Sequence, residues 1–297
     1  MKYTVLTLFP EITDAFFATS IMAKAIKRGI IEYQAINIRD FATDKHKTCD
    51  DAPYGGGPGM LMLPEPLDRA IKYAKNLSQG RKDTEDTEEK KAEESSSSLS
   101  SLCVPGVSAS QREILGKRVI YLSPSGKPFN QNLAKELASE KELILICGRY
   151  EGIDQRIIDR YVDDEISIGD YVLSSGEVAA LAIIDATYRL VDSVICQDSL
   201  TEESFSDGLL EYPQFTRPEV FDTMRVPEVL LSGHHEQIRQ WRLEKRVEKT
   251  LKQRPELIKQ GRELGIFNKE INGIIDRLVR GNSCEIQGEE NERNSGD

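Results

Sequence analysis

The 297-residue sequence has few cysteines and no long apolar run. Its five cysteines, an odd number without any Cys-x-x-Cys pair, fit neither a disulfide framework nor a zinc site. No segment approaches the roughly 18 consecutive apolar residues of a membrane-spanning helix, and the N-terminal segment lacks the long apolar stretch of a signal peptide. We therefore expect a cytoplasmic protein in a reducing compartment, without contact to a membrane.

Three signatures of cofactor or metal sites are also missing. No Gly-Lys-Ser/Thr follows the glycine-rich stretch at 55–59, and no Gly-x-Gly-x-x-Gly opens a helix. These absences argue against a P-loop nucleotide hydrolase and a dinucleotide-dependent oxidoreductase. His46, His234 and His235 have no carboxylate or thiol at ligand spacing, so we expect no metal site.

Positive charge is in deficit, with 39 basic against 50 acidic residues and a net charge of -11. This total counts against nucleic-acid binding, which needs clustered Lys and Arg. The deficit is uneven, however, because residues 80–94 hold seven acids and four bases, and residues 281–297 hold five acids and one base. Residues 234–280 instead hold twelve Lys or Arg against seven acids. Five of these basic residues recur on successive turns of a predicted helix: Arg239, Arg242, Lys245, Arg246 and Lys249. They form either a solvated helix face or a basic stripe that contacts RNA.

Length and composition, with 39% hydrophobic and 30% charged residues, predict two folded units. We expect a first domain over 1–195, a linker over 196–210, a helical domain over 211–281 and a disordered acidic tail over 282–297. Within the first domain, residues 78–112 are acidic and rich in serine, with too few apolar side chains to fold. This insertion is interpreted as a tolerated surface loop, with a phosphorylated regulatory loop as the alternative.

Strands and helices alternate in the first domain, which predicts an α/β fold with a parallel sheet. After a strand over Tyr3–Phe9, one helix is predicted over Pro10–Arg28. Three further strands each run into a polar, glycine-bearing loop and then a helix: Val119–Leu122, Leu143–Ile146 and Glu165–Ile168. These loops all begin at the carboxyl ends of parallel strands, which lie at one edge of the sheet. We therefore expect one ligand site shared by the three loops.

Two local signals around this site allow more than one interpretation. Ser174 and Glu177 fit a capping box that begins the helix Glu177–Leu190, which explains part of its loop without a ligand. The stretch Tyr54–Met60 carries four glycines, which indicate either a tight turn or a close approach of the backbone to a ligand. In the second domain, helices are predicted over Glu236–Lys252, Glu256–Gly261 and Asn268–Val279.

Six motifs, in order along the chain, resemble those of the bacterial tRNA (guanine-N1)-methyltransferases of the knotted SPOUT class. They are PYGGGPGM (Pro53–Met60), YLSPSG (Tyr121–Gly126), CGRYEGID (Cys147–Asp154), SIGDYVLSSGE (Ser167–Glu177), SFSDGLLEYPQFTRPEV (Ser204–Val220) and VLLSGHHEQIRQWR (Val229–Arg242). The resemblance covers nearly everything except the 78–112 insertion and the acidic tail.

The resemblance implies a trefoil-knotted SPOUT methyltransferase domain with a parallel sheet and a small C-terminal helical domain that binds tRNA. It implies a homodimer with its active site at the subunit interface, and S-adenosyl-L-methionine bound in a bent form. The methyl group would go to N1 of guanosine 37, on the 3′ side of the anticodon, where another guanosine precedes it.

Site residues follow from the same resemblance. The donor-binding residues it implies are Gly148, Ile168, Gly169, Asp170, Tyr171, Val172, Leu173, Tyr121, Leu122, Ser123, Pro124, Tyr150, Glu151, Gly152 and Gly176. Glu203 and Arg189 take the catalytic positions, as general base and as the arginine that stabilises charge on the purine oxygen. Asp50, Pro58, Gly59 and His46 take substrate positions. For His234 and His235 the start of a helix is favoured over contact with RNA.

Two positions depart from the family pattern. Glu203 stands where Asp is usual, so its carboxylate is one methylene farther from the backbone, and Ser175 stands where Gly is common. Guanine N1 is a poor nucleophile until its proton leaves, which is why a carboxylate base is expected. Two hypotheses stay open beside N1 methylation: methylation of the ribose 2′-oxygen, and an RNA-binding protein that lost activity through Glu203.

Overall fold

A computed structural model describes residues 1–77, 117–195 and 203–280. The chain divides into two compact units, Met1–Ile195 and Cys196–Asp297, and each is described by itself. The whole predicted 78–112 insertion, part of the predicted linker and the acidic tail lie outside the described residues. Within the described ranges, no helix combines the length and the apolar character needed to cross a bilayer.

The first unit alternates strands and helices. In chain order its elements are β1 (Lys2–Thr7), α1 (Pro10–Phe17), α2 (Ser20–Lys27), β2 (Glu32–Asn37), a 3-10 turn (Ile38–Phe41), β3 (Asp50–Asp51), β4 (Leu61–Met62), α3 (Pro64–Leu77), β5 (Lys117–Pro128), α4 (Gln131–Ala138), β6 (Glu142–Cys147), α5 (Gln155–Tyr161), β7 (Asp164–Ser167) and α6 (Gly176–Tyr188). Five of the strands form a parallel sheet in the order β2-β1-β6-β5-β7, which confirms the predicted α/β fold with a parallel sheet.

Both faces of this sheet are covered, which is why its central strand reads as an unbroken apolar run. All six residues of β6 are buried. Leu143 and Leu145 face a cluster with α1, α2, α4 and α6. Ile144 and Ile146 face the opposite cluster, with α3, α5 and the 3-10 turn. The alternation along β6 therefore divides the core of the first unit into two layers.

Two predicted boundaries in the first unit are wrong. The single helix expected over Pro10–Arg28 is two helices, because Thr19 is extended and its hydroxyl donates to the carbonyl of Phe16, 3.0 Å away. Such a hydrogen bond competes with the helical ladder and stops it. The strand expected to end at Leu122 continues to Pro128, with a shift in its pairing to β7 between Leu122 and Lys127.

In the described part of the second unit, the regular elements are helices and one short hairpin, which follow an irregular segment. The unit contains β8 (Val220–Phe221), β9 (Met224–Arg225), α7 (Glu228–Leu231), α8 (His235–Gln253), α9 (Pro255–Glu263) and a last helix, α10, over residues 269–280. Its core is formed by buried side chains of α8, α9, α10 and the segment before the hairpin: Leu209, Val247, Ile258, Phe267, Ile271 and Ile275. The three helices predicted from sequence correspond to α8, α9 and α10.

The basic residues of α8 do not form the stripe considered from the sequence. Arg246 is buried and pairs with Asp207, and Arg239 contacts the carboxylates of Glu236 and Glu270. The others are engaged too, since Lys245 pairs with Glu248, Lys249 donates to the carbonyl of Glu211, and Arg242 stacks on Tyr212. Arg246 therefore belongs to neither a solvated face nor an RNA-facing row, because residues 207–212 cover this part of α8, whereas Arg239 and Lys245 keep 47% and 38% of their side chains exposed.

An ion-pair cluster ties the edge strand β7 to β5. Arg118 and Lys127 both donate hydrogen bonds to the carboxylate of Asp164, and Arg118 also reaches Glu136 at 2.6 Å. Burial alone would raise the pKa of Asp164, but these two cations hold it below its ordinary value of 3.8. Folding therefore stabilises the ionised form of this side chain.

We expect this cluster to contribute to unfolding in acid. Because the pKa of Asp164 is lower in the folded chain, its contribution is complete above about pH 4 and is lost as the pH falls below that value. Urea unfolding of Asp164→Asn should show a shallower loss of stability between pH 5 and pH 2 than wild type, within the usual ~pH 1–5 range of carboxylate titration. Equal slopes for the two proteins would contradict the prediction.

Candidate active site

A cleft of about 290 Å³ opens at the carboxyl ends of β5, β6 and β7. Three loops and the first turn of α6 enclose it, and its volume is near the lower end of the range for small-molecule sites. The lining residues are Tyr121, Leu122, Ser123, Pro124, Gly148, Arg149, Tyr150, Glu151, Gly152, Ile166, Ser167, Ile168, Gly169, Tyr171, Val172, Leu173, Ser174, Ser175, Gly176 and Ala179. The expectation of one site shared by these three loops agrees with this geometry.

Most residues that the family resemblance assigned to donor binding lie around this cleft. Fourteen of the fifteen line it, and Asp170 belongs to the same loop without being a lining residue. The sequence reasoning missed Arg149, Ile166, Ser167, Ser174 and Ala179. Arg149 lies inside the CGRYEGID motif between two predicted residues, so its position alone could have identified it.

Close packing of backbone against backbone shapes the floor of the cleft. A Cβ atom on Gly176 would lie 2.8 Å from the Cα of Cys147 and 2.9 Å from the nitrogen of Gly148. The amide of Gly176 donates to the carbonyl of Gly148 at 2.9 Å. The N-terminus of α6, the positive end of its dipole, is therefore fixed against the end of β6 at the cleft.

An aromatic side chain forms one wall of the cleft. The ring of Tyr121 packs against two glycines, since a Cβ on Gly148 or Gly152 would approach it to 3.0 or 3.1 Å. Burial raises the pKa of the Tyr121 phenol above its ordinary value, so the side chain is neutral at physiological pH. This wall can donate a hydrogen bond or stack, but it carries no charge.

The capping box predicted from Ser174 and Glu177 is wrong. The residue before α6 is Ser175, whose side chain makes no capping hydrogen bond. Glu177 turns into the protein instead, where one carboxylate oxygen accepts a hydrogen bond of 2.5 Å from the hydroxyl of Thr7. Its other oxygen is buried and has no hydrogen-bond partner among the described residues. Packing of α6 against β1 decides the orientation of this side chain.

The thiol nearest the cleft is not a nucleophile. Cys147 is completely buried at the end of β6. Burial raises the pKa of its thiol well above the usual value, and the nearby Glu177 carboxylate adds to the shift. A protonated, buried thiol cannot attack a substrate, so the cleft does not support covalent catalysis by cysteine.

One loop brings both signs of charge to the cleft. The guanidinium of Arg149 lies 4.3 Å above the ring of Phe9, and its Nε atom is buried without a hydrogen-bond partner in the described structure. The side chain of Glu151 fills the space beside Gly59, where a Cβ would lie 2.4 Å from its Oε1. A cation and a carboxylate two residues apart suit a ligand that itself carries both charges.

The glycine-rich loop borders the same cleft. Gly55, Gly56, Gly57 and Gly59 all have positive φ angles, so the turn itself demands glycine. The amide of Glu151 donates to the carbonyl of Met60 at 3.0 Å, which fixes the loop beside the cleft. The tight-turn interpretation is thereby supported.

The predicted substrate residues lie on the chain that leads into this loop. Asp50 is in β3, which pairs with β4, and Pro58 and Gly59 belong to the loop between these strands. His46 lies in the exposed turn before β3, where its amide donates to Asp44 at 3.0 Å.

Arg189, one of the two predicted catalytic residues, is not among the residues that line the cleft of its own chain. Arg189 follows the last turn of α6, while Gly176 begins that helix at the cleft. Thirteen residues at about 1.5 Å each separate the two ends by roughly 20 Å. Glu203 belongs to the second unit, where its carbonyl accepts hydrogen bonds from the amide and the hydroxyl of Ser206.

Fold and cleft together define an α/β protein with a small cleft at the carboxyl edge of a parallel sheet. Comparison with known families is more specific. The family described as tRNA (Guanine-1)-methyltransferase TrmD matches residues 1–88 and 91–260. The chain belongs to this family.

Curated relatives match this chain over nearly their whole lengths. The tRNA (guanine-N(1)-)-methyltransferase of Treponema denticola is 58% identical over 93% of this chain and 98% of its own. The protein of the same name from Treponema pallidum is 50% identical over 94% and 96%, and that from Borrelia duttonii is 51% identical over 86% and 92%.

We expect Gly176→Ala to disturb the contact between α6 and β6. Its Cβ would lie 2.8 Å from the backbone of Cys147, and overpacking of this kind typically costs about 1–3 kcal/mol of unfolding free energy. Gly273→Ala in α10 is the matched control, because nothing lies within 4 Å of its Cβ position. Urea unfolding measures both, and a Gly176→Ala variant as stable as wild type would disprove the close contact.

Proposed function

We propose that the protein transfers the methyl group of S-adenosyl-L-methionine to N1 of guanosine 37 in tRNA, next to the anticodon, where another guanosine precedes it. The activity class, a tRNA (guanine-N1)-methyltransferase, follows from the family and the names of its relatives. The donor, position 37 and the preceding guanosine are more specific than the activity class. The observation that supports the donor is the gathering of fourteen implied donor-binding residues around one cleft, while the position and the preceding guanosine rest on the family resemblance of the six motifs.

The cleft fits such a donor in shape and charge. Four glycines, Gly148, Gly152, Gly169 and Gly176, line it, and their bare backbone suits the close approach of a flat purine ring. Glu151 and Arg149 offer partners to the ammonium and carboxylate of a methionine moiety, and Glu151 also attracts a sulfonium. The bound donor would supply an already activated methyl group, so the protein has mainly to align methyl and nitrogen.

Proton removal is the step that the chain itself must perform. The N1 atom of guanine carries a proton, and its electron pair becomes available to the methyl carbon only as that proton leaves. In the proposal the carboxylate of Glu203 takes the proton, which typically contributes about 10²- to 10⁴-fold to a rate. Arg189 stabilises the negative charge that develops on the purine oxygen during this transfer.

Two copies of the chain are part of this proposal. Arg189 lies roughly 20 Å along α6 from the cleft of its own chain, beyond the reach of its side chain. Exposed apolar side chains surround the cleft: Tyr150, Tyr171, Val172, Leu173 and Val178. Val172 alone is 85% exposed, and contiguous apolar patches of this kind mark interfaces. A homodimer in which a knotted SPOUT domain meets its copy would cover this patch and supply Arg189 from the partner.

The base is tested with Glu203 variants and tRNA transcripts that carry or lack the preceding guanosine. Glu203→Gln should lower the single-turnover rate by about 10²- to 10⁴-fold because the amide cannot accept the proton. Glu203→Asp, which restores the side chain usual in the family, should stay active. Nucleoside analysis of the product should give 1-methylguanosine.

Each alternative has its own result in this assay. A product methylated on the ribose 2′-oxygen would show that the chain is a 2′-O-methyltransferase of the SPOUT class. Donor binding without any methyl transfer would show that it is a non-catalytic RNA-binding protein. Equal rates on both transcripts would remove the requirement for a preceding guanosine.

The dimeric site is tested with a mixed dimer. One subunit carries Arg189→Ala and the other carries Gly169→Ala, whose Cβ would lie 2.5 Å from the Tyr171 ring in the cleft. If Arg189 serves the partner's cleft, one of the two sites is intact, and the purified heterodimer should show about half of wild-type activity. An inactive heterodimer would place Arg189 and the cleft in the same chain.

A further inference from the structure

The segment that carries Glu203 is bound tightly to α8. The amide of Leu210 donates to the hydroxyl of Thr250 at 2.9 Å, and Lys249 donates to the carbonyl of Glu211 at 3.0 Å. We call residues 203–212 the Glu203 segment. It has no regular secondary structure of its own, so these contacts decide its path.

Arg246 is the central contact of this segment. Its side chain is 7% exposed, and its two terminal nitrogens form a bidentate pair with the carboxylate of Asp207. Its Nε atom donates to the carbonyl of Leu210 at 3.3 Å. A buried guanidinium is tolerated only when its donors are satisfied, so Arg246 and the Glu203 segment constrain each other.

Hydrogen bonds inside the segment connect this contact to Glu203. Ser206, next to Asp207, donates to the carbonyl of Glu203 through its hydroxyl at 2.6 Å and its amide at 3.2 Å. The amide of Phe205 donates to the carbonyl of Leu209 at 2.8 Å. Phe205 has a φ angle of +70°, a conformation that a bulky residue keeps only when its surroundings enforce it.

We propose that Arg246 is a positioning residue for the general base: through Asp207 and Ser206 it fixes the main chain from which the Glu203 carboxylate reaches guanine N1. This inference rests on the proposed role of Glu203. Longer than the aspartate usual in the family, the Glu203 side chain has one more rotatable bond, so more conformational freedom must be restricted to place its carboxylate. Arg246 acts through the segment and takes no proton itself.

The competing explanation is that Arg246 only stabilises the helical unit. The two roles differ in their dependence on pH. Guanine N1 loses its proton unaided in alkaline solution, so a misplaced base matters less as the pH rises. A loss of stability or of tRNA affinity has no reason to follow the ionisation of the substrate.

The test measures single-turnover methyl transfer by the full-length protein at saturating donor, over tRNA concentrations up to saturation, from neutral to alkaline pH. Arg246→Met and Asp207→Asn should each lower the neutral-pH rate by about 10- to 100-fold, the effect expected when a reacting group shifts by about 1 Å. The deficit should shrink at alkaline pH, and the dissociation constants for tRNA and donor should stay at wild-type values.

Two further variants keep the test decisive. Arg246→Lys preserves the charge and part of the hydrogen bonding, so it should restore part of the rate. The double variant with Arg246→Met and Asp207→Asn should be no slower than either single variant, because both act through one contact. Ile275→Val is the matched control, since it weakens the core of the same unit without touching the segment, and its rate should equal wild type.

Three results would overturn the inference: wild-type rates in both Arg246→Met and Asp207→Asn, a deficit that is constant with pH, or a deficit that disappears at higher tRNA concentration. If Arg246→Met does not fold, Asp207→Asn tests the inference instead, because the side chain of Asp207 is 38% exposed. The role of Glu203 is judged separately, because an active Glu203→Gln would reject the base itself whatever Arg246 does.

Discussion

The contact between the start of α6 and the end of β6 is the constraint on which the first unit depends. Because Gly176 has no side chain, the helix can begin against the backbone of Cys147 and Gly148. This contact directs the helix dipole at the cleft, holds the loop before α6 over it, and carries Arg189 to the far end of the helix. The separation of donor cleft and arginine, and hence the proposed need for a second copy, follows from the length of that one helix.

The sequence was sufficient to predict the parallel sheet and the grouping of loops at its edge, because these follow from local periodicity and from chain direction. It was insufficient wherever a distant residue decided the outcome. Glu177 fits a capping box by spacing, yet Thr7 draws it inward. Arg246 fits a solvated stripe, yet Asp207 buries it. In both cases a partner far away in sequence outweighs the local signal, and spacing alone contains no information about that partner.

The two units divide the proposed chemistry between them. The first provides a cleft built from backbone and glycine, suited to holding a reagent that is already reactive. The second provides a carboxylate on an irregular segment whose path depends on a buried arginine. The Asp-to-Glu difference at 203 concerns the second unit alone.

The burial of Cys147 has a consequence for the safety of the proposed reagent. A sulfonium methyl donor is an alkylating agent, and thiolate is the protein group that it would modify most readily. Cys147 precedes the cleft residue Gly148 directly, but its sulfur is buried and its raised pKa keeps it protonated. A sulfonium donor bound as proposed would therefore lie one residue away from a sulfur atom that is protected from methylation.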